Sequence, residues 1–100
     1  MKKTIEQMET IHHGSKHHFI ITVGNKKYFQ SYGSLIAVVN NGKVTLNRYR
    51  WNYSKTTVAY LNRFLGITNK QNMERRASGE YKLRVMDSGL LRKLNPAYFA

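Results

Sequence analysis

Cysteine does not occur in this chain, and proline occurs once. The first absence excludes disulfides and thiolate metal sites, and it suits an intracellular protein. Acidic residues are scarce as well: five Asp and Glu stand against seventeen Lys and Arg, a formal net charge of +12. Between Thr10 and Met73 there is no acid at all, while nine Lys or Arg and four His occupy the same stretch. No apolar run approaches the roughly 20 residues that span a bilayer. The opening MKKTIEQMET has no apolar stretch behind its lysines, so it does not read as a signal peptide. The expectation is a soluble, cytoplasmic protein with no membrane partner.

These absences also filter the chemistry. Hydrolytic sites need paired carboxylates, an acidic metal cluster, or a nucleophile with its base. Here Glu6 and Glu9 fall in the N-terminal segment, and Glu74, Glu80 and Asp87 are scattered toward the other end. Gly14, Gly24, Gly33 and Gly42 are widely separated turn glycines, not a phosphate loop. The four histidines of IHHGSKHHFI (His12, His13, His17 and His18) match no zinc spacing, and adjacent pairs point apart in an extended chain. That segment reads as an exposed basic arm, and neither metal nor cofactor is expected. One enzyme class survives, a metal-independent ribonuclease of the toxin type built from Arg75, Arg76, Lys82, Arg84 and the histidines. No spacing selects those residues, so the chain reads as non-catalytic.

What is present points to one small α+β domain. One hundred residues with 41% hydrophobic and 12% aromatic content suit a single compact unit with a small core. Residues 1–16 are polar and read as an arm or a short helical turn, so removing residues 1–14 should leave the domain folded. HFIITV, KKYFQSY, SLIAVVN and KVTL read as strands, with turns at Gly24-Asn25 and Asn40-Asn41-Gly42. Ser54 reads as the N-cap of a helix from Lys55 to Leu65, closed by Gly66. Thr68 and Gln71 form a capping box opening a second helix to about Ser78, with Gly79 as its stop. YKLRVMD returns to a strand, and residues 88–100 read as a tail, short helix or partly loose. The domain proper therefore spans residues 17–87. It is expected to be an antiparallel sheet of four to five strands with one or two helices on one face.

Tyr28, Phe29, Ser31 and Tyr32, then Gly42, Trp51, Tyr53, Ser54, Thr56, Thr57 and Gly66, and finally Ser78, Gly79, Glu80 and Tyr81 make up a pattern. It covers about residues 19–86 and resembles a family of small, functionally uncharacterised domains encoded by tailed bacteriophages. The resemblance implies a phage origin and an early or accessory role, in the host cytoplasm, and it brings no catalytic residues with it.

The segment with most chemical character is NRYRWNYSKTT, residues 47–57, which alternates rings with cations and contains no acid. In an extended chain Tyr49, Trp51 and Tyr53 share one face, and Arg48 and Arg50 share the other. At least two of the rings are expected to roof the core. The opposite face, joined by Lys55 and by Arg63 on the helix, would then form a basic ridge suited to phosphate contacts with some base stacking. Lys26 and Lys27 extend the set of cations open to an anionic partner. Two partner classes suit such a surface: nucleic acid bound directly, or an acidic or nucleoprotein host complex whose nucleic-acid channel is occupied, as an inhibitor of a defence or transcription machine would do. An open sheet edge also leaves a homodimer open.

Overall fold

The computed structural model describes residues 2–9 and 16–100. The fold is α+β, with a six-stranded open sheet in the order β1-β2-β3-β4-β5-β6. The strands are β1 Lys3–Gln7, β2 His18–Val23, β3 Lys26–Ser31, β4 Ser34–Asn40, β5 Lys43–Asn47 and β6 Lys82–Arg84. Three α-helices stand among the described residues: α1 Lys55–Leu65, α2 Asn69–Ala77 and α3 Leu91–Leu94.

Local chemistry explains most of these boundaries. Asn41 (φ 52°) and Gly42 (φ 80°) both adopt the left-handed region, the geometry that a two-residue hairpin between twisted strands demands. The Ser54 hydroxyl accepts the Thr57 backbone N–H at 3.0 Å, so α1 starts where a free donor would otherwise be left unsatisfied. Gly66 (φ 69°) ends the helix, and its N–H returns to the carbonyls of Arg63 and Asn62. Thr68 and Gln71 cap α2 reciprocally, as a capping box requires.

The sheet is wider than the sequence suggests, and one of its pairings differs in kind. Residues 3–7, expected in a polar arm, form an edge strand antiparallel to β2, with Ile5 opposite Ile21. Met8 continues from it into the core, so the N-terminal segment is part of the sheet and not a separate arm. At the other edge β6 pairs parallel to β5, Leu83 beside Leu46, because the two-helix excursion carries the chain back toward the end of the sheet where β5 begins.

Both faces are covered, where helices on only one had been expected. Phe29, Ile36, Ala37, Leu46, Tyr60, Leu61 and Tyr81 make the larger cluster, under α1. On the opposite face Ile21 and Leu35 pack against Leu91 of α3, with Leu94 and Phe99 beside them. The buried Asn95 donates to Gln30 Oε1 at 3.0 Å, which fastens the C-terminal segment onto the sheet. Asn47 is buried too, at the point where the chain leaves β5.

Candidate nucleic-acid interface

Asn47 ends β5 and bends the chain. Its side-chain amide donates to the Leu35 carbonyl (2.7 Å), and its Oδ1 accepts the Tyr49 N–H (3.2 Å). Its backbone carbonyl accepts from both Arg50 (3.2 Å) and Trp51 (3.0 Å). An asparagine that satisfies backbone groups two residues ahead stabilises a turn rather than a strand. Residues 48–52 accordingly form successive turns, not an extended segment.

This overturns the expected alternation of faces. Only Trp51 turns inward, half-buried against the larger cluster. Its other side is covered by Arg76, whose guanidinium carbon lies 4.1 Å from the ring centroid. Arg76 is held in turn by Asn72 Oδ1 at 2.8 Å, and Asn72 donates to Asn62, so a polar chain between α1 and α2 fixes the lid on the tryptophan. Arg76 therefore occupies one face of the Trp51 ring. Tyr49 and Tyr53 point the other way, 67% and 45% exposed. Two of the three rings are on the surface, where two had been expected inside.

The cations divide into separate places. Arg48 and Arg50 are exposed in the loop, with the Arg48 N–H bound to the Arg84 carbonyl at 2.8 Å. Lys55 stands at the start of α1, also exposed, and lines an open hollow of about 570 Å³ with Asn52, Tyr53 and Asn69. Arg63 does not join them. It reaches toward β1, donates to the Glu9 carbonyl at 3.2 Å and shares a hollow with Glu6 and Glu9. Lys26 and Lys27 belong to the opposite end of the sheet: Lys26 pairs with Asn40, which pairs with Lys43 at the start of β5. The length of β5 separates that end from the loop, on the order of 13 Å. Lys27 there lines a hollow with Arg75, Glu80 and Tyr81.

A second aromatic group at the loop's end of the sheet was not anticipated. Tyr32 (φ 54°) leaves β3 in the left-handed region, and its N–H binds the His17 carbonyl at 2.7 Å. The imidazole of His17 stacks on the Tyr32 ring, with centroids 4.8 Å apart. Its Nδ1 lies 3.0 Å from the Tyr98 hydroxyl. Partial burial pushes the Tyr98 phenol above its ordinary pKa, and the phenols of Tyr32 and Tyr53 push it further. Tyr98 thus stands within electrostatic reach of rings from two other segments. These contacts join residues 17, 32 and 98, and no local sequence signal announces them; only the register of β2 on β3 and the docking of the tail create them.

His12 and His13 lie outside the described residues. Of the other two, His17 is exposed, and His18 is buried against Tyr60, with centroids 3.8 Å apart and rings nearly parallel. Burial, with a smaller contribution from the neighbouring His17, lowers the His18 pKa from 6.5 to about 4. Among the described residues no group of three or more His, Asp or Glu is placed to hold a metal ion. No helix among them is long and apolar enough to cross a membrane.

The model of a Family of unknown function (DUF8033) matches residues 3–80, and the chain belongs to that family. The match takes in β1, the loop and both α1 and α2. No curated protein and no solved structure matches the chain significantly.

Proposed function

We propose that this member of a family of unknown function is a small, non-catalytic nucleic-acid-binding protein, serving as an accessory factor of a tailed bacteriophage in the host cytoplasm. The observation that carries the reading is the 48–55 segment. It offers two exposed tyrosines and three exposed cations with no acid among them, in a chain of net charge +12. Cations beside exposed rings suit a phosphate backbone with its bases, because the charges attract the phosphates and the rings give the bases an apolar face. Lys26, Lys27 and Arg63 act at most through the overall field of the molecule, since they lie away from this segment.

The same exposed rings support a second reading. Tyrosine is enriched among the residues that dominate protein interfaces, so the segment could seat on an acidic surface or in the nucleic-acid channel of a host defence or transcription complex. The ribonuclease alternative draws less support. Arg75 is held by the Tyr81 hydroxyl at 3.0 Å and by Glu80 at 3.8 Å, and Arg76 is committed to Asn72 and Trp51.

Titration of labelled, random-sequence DNA and RNA oligonucleotides at low salt tests the first reading. Saturable binding without cleavage is expected. Failure to bind either one would transfer the segment to the second reading, and cleavage would restore the third.

A further inference from the structure

The preferred form of the nucleic acid depends on which surfaces the loop offers, and this step rests on the nucleic-acid reading of the 48–55 segment. Bases in a duplex are stacked on one another and expose only their edges in the grooves, so an aromatic ring gains little from them. Unpaired bases present whole π-faces, and stacking on a tyrosine is then favourable for any base. Tyr49 and Tyr53 are the exposed rings of the loop, and Tyr32, 41% exposed and stacked on His17, lies at the same end of the sheet.

The helices offer a duplex little. The major groove takes a protruding helix or a two-stranded ribbon. Helix α1 buries Thr57, Tyr60 and Leu61 on the sheet. Helix α2 shows solvent Met73 and Glu74 beside Lys70, a face with little net charge. Beside Tyr53 lies an open hollow of about 570 Å³, with room for an unstacked group. Asn52 and Asn69 line it, and Lys55 stands by for the phosphate. The Asn52 amide can exchange hydrogen bonds with a base edge, whereas Asn69 Oδ1 already accepts from Asn62 and leaves only its NH2 to donate.

We infer that the loop binds single-stranded nucleic acid, with unpaired bases stacked on Tyr49 and Tyr53 and the backbone carried by Arg48, Arg50 and Lys55. Sequence preference should be weak, because stacking discriminates little among bases.

The test compares one labelled 20-mer, free and annealed to its complement, against the intact chain and the Tyr49→Ala/Tyr53→Ala variant. Both rings are exposed, so the variant should keep the wild-type melting temperature, which a thermal scan checks. The intact chain should bind the single strand at least about tenfold more tightly than the duplex. The variant should lose roughly tenfold to a hundredfold on the single strand and little on the duplex. Equal or tighter duplex binding would overturn the inference while leaving the nucleic-acid reading in place. So would a variant that keeps the single-strand preference. Binding to neither form would overturn both.

Discussion

At the scale of single residues, Asn47 and His18 each decide more than their side chains suggest. Asn47 converts a strand-like run into turns through four hydrogen bonds to Leu35, Tyr49, Arg50 and Trp51. The signal was in the sequence, since asparagine is a turn former, but the alternation of rings and arginines behind it matched a strand and concealed it. His18 shows the opposite problem. Nothing in the run HHGSKHH distinguishes the one histidine that stacks under Tyr60 from the one that stays on the surface, because that depends on which face of β2 meets α1. Its burial has a consequence for acid stability. The folded protein holds His18 neutral down to about pH 4, whereas the unfolded chain takes up the proton near pH 6.5. The folded state is therefore fully favoured above about pH 6.5 and loses up to 1.4 kcal/mol per pH unit as pH falls toward 4. Urea midpoints at pH 7 and pH 4.5 check this on the intact chain and on His18→Phe, which retains a ring against Tyr60. The intact chain should lose about 2 kcal/mol more than the variant between the two conditions. Parallel losses would show that His18 is not the acid-sensitive group.

At the scale of elements, legibility tracked how local the determining interactions are. Helices α1 and α2 were read to within a residue because their caps are side chains three positions from the groups they satisfy. The β4–β5 hairpin was legible for the same reason, in its Asn-Gly turn. Strand β1 was not. Lys3–Gln7 is exposed along its whole length and carries one apolar side chain, so it has no hydrophobic alternation; it is a strand because the edge of β2 offers backbone groups to pair with. Nor could local pattern reveal that β6 is parallel to β5 or that Leu91 packs on the far face, since both depend on contacts distant in sequence. Residues 1–14 were expected to be removable with the domain still folded, yet residues 3–7 pair with β2 and Met8 is buried, so their removal should cost stability. Deleting residues 1–9 removes the buried Met8 and uncovers the β2 edge, a loss of roughly 2–5 kcal/mol from the methionine alone. The melting temperature should fall by about 10 °C or more in calorimetry. A truncated chain that melts with the intact one would mean β1 contributes nothing to the fold.

At the scale of the whole molecule, the governing feature is charge. A net +12 on 100 residues repels itself, and an anionic partner would relieve that repulsion. The sequence could not show which cations act together. Arg48, Arg50 and Lys55 are neighbours in the chain and all exposed; Arg63, Lys26 and Lys27, expected to join them, are separated from them by helix geometry and strand register. The central claim is that the first three contact phosphate, and the salt dependence of affinity for a single-stranded oligonucleotide measures it most directly. Each phosphate contact on a single strand contributes about 0.7 to the slope of log affinity against log salt. Replacing Arg48, Arg50 and Lys55 together by Gln should lower the slope by about 2 and weaken binding alike on every sequence, while Arg63→Gln leaves it near the wild-type value. A slope unchanged in the threefold variant, or lowered as much by Arg63→Gln alone as by the three together, would contradict the assignment of this loop as the binding surface.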